Sequence, residues 1–95
     1  MIKYAIEIDD KVRFGAAGHA PQQEPGWNVV CGLVSMLANV AAVGCSENSD
    51  FYKEFSYGNG QLEFECDRND RTVAIVRAVE AGLVDLTEKF PECFE

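Results

Sequence analysis

The chain has 95 residues, 47% of them hydrophobic and 25% charged, with a formal net charge of −8 at pH 7. That length suits one domain with one two-layer core, and the composition argues against disorder. The acidity argues against direct nucleic-acid binding, which needs a basic footprint, and fits either a basic protein partner or simple solubility.

At the N-terminus Ile2, Tyr4, Ile6 and Ile8 face one way and Lys3, Glu7 and Asp9 the other, the pattern of a half-buried strand. This alternation is unlike a signal peptide. No apolar run is expected to approach the ~20 residues that span a bilayer, so the expectation is a cytoplasmic protein with no membrane partner. Asp9-Asp10-Lys11 turns the chain, and Val12, Phe14 and Ala16 resume the alternation, which predicts a hairpin. The small residues Gly15 to Gly18 let another element approach closely where the second strand ends.

His19, the one histidine, follows directly. Residues Ala20 to Trp27 read as an irregular loop, with Pro21, Pro25 and Gly26 inside it. A helix is predicted from about Asn28 to Val43, capped by Asn28 and stopped by Gly44. Val30, Val34, Leu37 and Ala41 form its core stripe, with Leu33 and Val40 beside them. Cys31 falls in the first turn, and Ser35 lies one turn further along the same face.

After a polar connector, Phe51, Phe55 and Tyr57 alternate with Tyr52, Glu54 and Ser56. Gly58-Asn59-Gly60 supplies a turn, and Leu62, Phe64 and Cys66 alternate with Gln61, Glu63 and Glu65, predicting a second hairpin. A second helix is predicted over Asp70–Lys89, its seam formed by Val76, Val79, Leu83, Leu86 and Phe90, and Pro91 ends it. Val73, Ile75 and Val84 widen that seam, which fits a dimer contact and a broad core face equally well. The predicted class is α+β, in β-β-α-β-β-α order. It comprises two layers, with two helices on a four-stranded, mostly antiparallel or mixed sheet, and residues 1–95 form a single domain.

The four cysteines lack paired spacing, so no zinc site is expected, and a disulfide framework is weakly supported without a secretory signal. Cys45 and Cys66 read as small structural hydrophobes and Cys93 as a tail residue. Cys31 differs, because a thiol near a helix start feels the positive end of the helix dipole. A histidine twelve residues earlier, across a flexible loop, has the reach to take its proton. Backbone amides around Val30 to Gly32 are expected to hold an oxyanion, with Gly32 removing a side chain that would crowd it. Ser35 fits a hydrogen bond near the thiol or one to its own backbone, and Trp27 fits a gate or an anchor for the loop. On spacing alone, a buried cysteine and a surface histidine are the commoner arrangement.

The run Gly18-His19-Ala20, then Gly26, then Val30-Cys31-Gly32-Leu33-Val34-Ser35-Met36-Leu37, resembles the ribosomal-processing cysteine protease (Prp) family of bacteria and their phages. The resemblance extends to the opening MIKYAIEI, the two hairpins and the closing KFPECF. It implies a cysteine endopeptidase, usually homodimeric, with His19 as general base, Cys31 as nucleophile and no metal or cofactor. The implied substrate is a short N-terminal leader on a large-subunit ribosomal protein or, for phage relatives, on a capsid or scaffold protein. Asn28 stands where the family usually carries Asp, and Gly32-Leu33 where small residues are common. An Asn can orient an imidazole but cannot stabilise its cation by charge, so a Cys31/His19 dyad is expected, with Asn28 as orienter or cap. Another reading of the same residues is a silent homologue that binds such a leader without cutting it. A third is an acidic scaffold domain in which the pair is accidental.

Overall fold

The computed structural model describes residues 1–18, 27–55 and 60–95, without the side chains of residues 27 and 28. The elements are β1 (Lys3–Ile8), β2 (Lys11–Ala17), α1 (Trp27–Glu47), β3 (Tyr52–Phe55), β4 (Gln61–Asp67) and α2 (Asp70–Lys89), followed by a 3-10 turn over Pro91–Cys93. The expected α+β order is therefore the observed one. The strands lie in the order β1-β2-β4-β3, and every neighbouring pair is antiparallel. The second hairpin thus docks its later strand against β2, which leaves β3 at the edge.

Alternation decides which face is covered. Val12, Phe14 and Ala16 of β2 and Phe64 and Cys66 of β4 are buried under the helices. Phe14 and Phe64 are direct cross-strand partners, with ring centroids 5.4 Å apart. The other face carries charge, where the Arg13 guanidinium donates to Asp9 at 2.8 Å and to Glu65 at 2.9 Å.

The facing of β3 reverses the expected one. Tyr52, opposite buried Cys66, packs on the core with its ring 5.3 Å from that of Phe64. Phe51 precedes the strand and is exposed, with Lys11 Nζ 5.0 Å from its ring centre. The register with β4 fixes this choice, because a one-residue slip would turn Cys66 and Phe64 outward. Ser56 and Tyr57 of the expected strand and Gly58 and Asn59 of the expected turn lie outside the described residues, whereas Gly60 is described, with φ +79°.

Helix α1 corrects four expectations. It begins at Trp27, so Asn28 lies inside the first turn instead of capping it. It runs through Gly44 to Glu47, and Gly44 packs tightly against α2: a Cβ there would sit 3.2 Å from Ile75. Val30, Val34 and Ala41 are buried as expected, but Leu33 and Val40 are 45% and 48% exposed. The stretch Val29–Glu47 is also long and apolar enough to cross a membrane by length and composition, contrary to the expected absence of such a run. In this fold it lies along the sheet instead, its inner stripe closing the core.

Helix α2 has the predicted bounds. The Asn69 side chain accepts from the Thr72 amide at 2.9 Å, and Thr72 Oγ1 accepts from the Asn69 amide at 3.0 Å, closing a reciprocal cap. Val76, Val79 and Leu83 are buried. Val73 and Ile75 pack against the core, which supports the broad-core reading for both, whereas Val84 is 43% exposed. Cys93 is no mere tail residue. It is fully buried, and its carbonyl accepts from the Ile2 amide at 2.8 Å while the Glu95 amide donates to the Ile2 carbonyl at 2.8 Å. Ile2 and Phe94 thereby form a parallel bridge that ties the two ends of the sequence together.

Candidate active site

Three segments meet beside the N-terminal half of α1. β2 ends at Ala17, paired with Gln61 at the start of β4, and the Gly18 amide donates to the Gly60 carbonyl at 2.9 Å. Gly18 has φ +95°, and a Cβ there would collide with the Met1 carbonyl oxygen. Only glycine meets both conditions without strain. The small run Gly15–Gly18 thus permits the close approach that its composition suggested.

Between these strand ends and α1 lies a cavity of about 220 Å³. Ile2, Ala16, Val34, Ala38 and Leu62 give it apolar walls, while Ser35, Asn39 and Gln61 are its polar side chains. No charged side chain lines it among the described residues. Cys31 and Ser35 both line it, one helical turn apart, as their spacing predicts. Gly18, directly before His19 in the chain, is itself part of the wall.

Burial separates the four thiols. Cys45, Cys66 and Cys93 are fully enclosed, whereas Cys31 is half-buried and reaches the cavity. Burial, reinforced by Cys66, pushes the Cys45 thiol up to about 12. Burial likewise raises Cys66. Cys93 is raised first by burial and then by the nearby Glu92 carboxylate. These three are held as neutral thiols at pH 7, in keeping with a structural role for Cys45 and Cys66.

The helix start shifts the expected oxyanion donors. With α1 beginning at Trp27, Cys31 is its fifth residue, at the start of the second turn instead of within the first. The amides of Cys31 and Gly32 are then engaged within the helix, and those of the first turn lack intrahelical partners. Gly32 is on the exposed side, where an added Cβ meets nothing within 4 Å among the described residues. Trp27 and Asn28 open the helix. His19, Gly26 and the rest of the Ala20–Gly26 loop lie outside the described residues.

Sequence reasoning missed the walls that other elements supply: Ile2, Gln61 and Leu62. Asn39 was within reach, because it follows Cys31 by eight residues and Ser35 by four on one helix face. Among the described residues no group of three or more metal-ligating side chains occurs.

A model of the family described as cysteine protease Prp matches residues 1–95, the whole chain. The chain belongs to the cysteine protease Prp family. Solved structures share its fold. The ribosomal processing protease Prp of S. aureus, with a covalently linked product peptide, superposes with a TM-score of 0.78 at 21% identity, covering 100% of this chain and 96% of that one. The same S. aureus enzyme with a substrate peptide gives 0.72 at 19% identity, with 100% and 96% coverage. A Streptococcus mutans protein gives 0.72 at 20% identity, with 100% and 90% coverage. No curated protein sequence matches the chain. Membership in the Prp family makes the chain a cysteine protease, and Cys31 is the cysteine that its cavity exposes.

Proposed function

We propose that this Prp-family protease removes the N-terminal leader of a large-subunit ribosomal protein in the cytoplasm, working as a homodimer with a Cys31/His19 dyad. One observation carries the site: Cys31 is the thiol that reaches the uncharged cavity where β2, β4 and α1 meet. The assignment of His19 rests on its place in the sequence immediately after Gly18, a wall of that cavity. The leader as substrate is supported by the S. aureus relative, which is described as a ribosomal processing protease and was solved with peptides. A basic ribosomal protein also suits a chain of net charge −8.

The chemistry follows from these groups. His19 takes the thiol proton, and the Cys31 thiolate attacks the scissile carbonyl carbon. The carbonyl oxygen becomes anionic near the first-turn amides of α1, at the positive end of the helix. Protonated His19 returns the proton to the departing amine, leaving a thioester on Cys31 that water hydrolyses. Asn28 orients the imidazole. The cavity receives a substrate side chain, and its apolar walls select an uncharged one.

The test is incubation with a leader-bearing ribosomal protein and, in parallel, a leader-bearing phage capsid protein. The products are mapped by intact mass, comparing the native chain with Cys31→Ala and His19→Ala. Leader removal by the native chain and its loss in both variants is expected. Binding without cleavage by the native chain would establish the silent-homologue reading instead. Cleavage of the capsid protein alone would move the substrate to the phage class.

A further inference from the structure

Four segments far apart in the chain meet in one row at the end of the sheet beside the cavity. The register of β1 with β2, in which Lys3 faces Ala17, sets Ile2 opposite Gly18. That of β2 with β4, in which Ala17 faces Gln61, sets Gly18 opposite Gly60. On its other side Ile2 is bridged to Phe94. Ile2, Gly18 and Gly60 line the cavity, whereas Cys93, Phe94 and Glu95 do not. The closing segment therefore reaches the site through Ile2.

The hold on Ile2 uses both polar groups of its backbone. Its amide donates to the Cys93 carbonyl at 2.8 Å, and its carbonyl accepts from the Glu95 amide at 2.8 Å. The segment that holds it is itself anchored, since Cys93 and Phe94 are buried and the Phe94 ring meets Tyr4 edge-on, 6.4 Å between centroids. Glu95 has an exposed side chain, so its backbone amide is what it contributes. Across the row, the Met1–Ile2 peptide lies against Gly18. A Cβ on Gly18 would collide with the Met1 carbonyl oxygen and sit 3.3 Å from the Ile2 α carbon. Contact this close passes a displacement of one backbone to the other. Gly18 in turn donates to the Gly60 carbonyl at 2.9 Å, and the sequence leads from it directly into His19.

We propose that Cys93–Glu95 is a positioning element of the active site, with the Glu95 amide as its decisive group. The amide fixes Ile2, and Ile2 fixes the Gly18 strand end from which the segment carrying the base departs. The inference rests on the Cys31/His19 reading given above. Chain ends ordinarily fray, and a frayed Met1–Ile2 would release Gly18. Proton transfer needs hydrogen-bond reach between base and thiol, so a loosened starting point for His19 slows the chemical step. The apolar anchors Cys93 and Phe94 stabilise the fold in either case. Loss of the amide is therefore felt in catalysis more than in melting.

Glu95→Pro removes the donor and keeps the chain length. Phe94, at φ −116° and ψ 152°, already has the extended backbone that precedes a proline. Glu95→Ala keeps the amide and serves as the control. Both are compared with the native chain on whichever leader-bearing protein it cuts, and deuterium exchange of single amides is followed by NMR. In Glu95→Pro the Gly18 amide should exchange at least about tenfold faster, while that of Leu83, buried in α2, stays native. The same variant should lose at least about tenfold in kcat with KM little altered. Glu95→Ala should match the native chain throughout. Circular dichroism melting gives the folded fraction of each variant. If Glu95→Pro does not fold, a chain shortened to Phe94 lacks the same amide and replaces it. Native exchange at Gly18 without the amide overturns the inference, as does faster exchange with a native kcat or a loss confined to KM. An equal loss in Glu95→Ala overturns it too, because the side chain would then be the cause. A native chain that cuts neither leader-bearing protein overturns the Cys31/His19 reading and the inference with it, and that failure is seen before any substitution is made.

Discussion

The two helices are nearly equal in length, 21 residues in α1 and 20 in α2, and share one face of the same sheet, yet they are built on opposite terms. α2 has a reciprocal cap at Asn69 and Thr72, an acid in its first turn and a base in its last, all of which favour the helix locally. Arg77 pairs with Glu80 at 2.7 Å and Lys89 with Asp85 at 2.9 Å along its outer side. α1 has no acid in its first turn and no base in its last, and its outer side is apolar. The lesson is that α2 is a helix for water and the core. α1 depends on its neighbours, and it is the one that carries the thiol and an apolar outer side.

That contrast can be broken, beginning where the largest effect is expected. Cys31→Ala should lower leader cleavage by at least about 10³-fold while leaving the melting temperature near native, because the thiol is half-buried and lines an open cavity. Mass spectrometry and thermal melting measure the two halves of this prediction. An equally large loss from an α2 surface variant such as Arg77→Ala would erase the distinction between the helices.

Gly18→Ala comes next. A side chain at φ +95° facing the Met1 carbonyl should cost about 1–3 kcal/mol of stability. It should also reduce cleavage, since the strand end forms a cavity wall. Urea unfolding and cleavage rates, followed together, would show whether one wall supports both.

Asn69→Ala should cost about 1–2 kcal/mol by removing the α2 cap and the 2.9 Å bond from its amide to the Asn48 carbonyl. Cleavage by the folded fraction should be unchanged, which urea unfolding alongside a cleavage assay would establish.

The smallest effect is a pH dependence. The Asp67 carboxylate accepts from the Asp50 and Phe51 amides, both at 2.7 Å. These bonds, that from Phe51 foremost, hold its titration below the usual carboxylate range. Its contribution to stability is therefore present above the unfolded value of about 3.9 and is lost as pH falls through the lower folded value. Asp67→Asn should melt below the native chain at pH 7, with the difference closing as the solution is acidified past that point.

Much of this was legible in order of residues. The strict alternation of β1 and β2 located the first hairpin, because a period of two has one structural meaning. The steps of three and four from Val76 to Phe90, ended by Pro91, located α2, because that period belongs to a helix face and proline closes it. α1 was harder to read. With apolar residues nearly all around it, its pattern did not say which side faced the core, and Leu33 and Val40 were placed inward. Gly44 looked like a stop because its packing partner, Ile75, is remote in sequence. Cys93 looked like tail because its bridge to Ile2 joins opposite ends of the chain. At the site, Cys31 and Ser35 were readable from helical spacing. Ile2, Gln61 and Leu62 were not, since nothing local links them to a thiol tens of residues away.

By itself the sequence determined the kinds and order of elements, the Prp-family resemblance and the identity of the candidate thiol. The elements depend on periodicity, the resemblance on the run from Gly18 to Leu37 and the closing KFPECF, and the thiol on its place near a helix start. Only the tertiary structure decided which thiols are sealed off, which face of α1 is left to water, and which strand ends close the cavity around Cys31. Those outcomes depend on contacts between segments far apart in the chain, which are set when the helices settle on one face of the sheet.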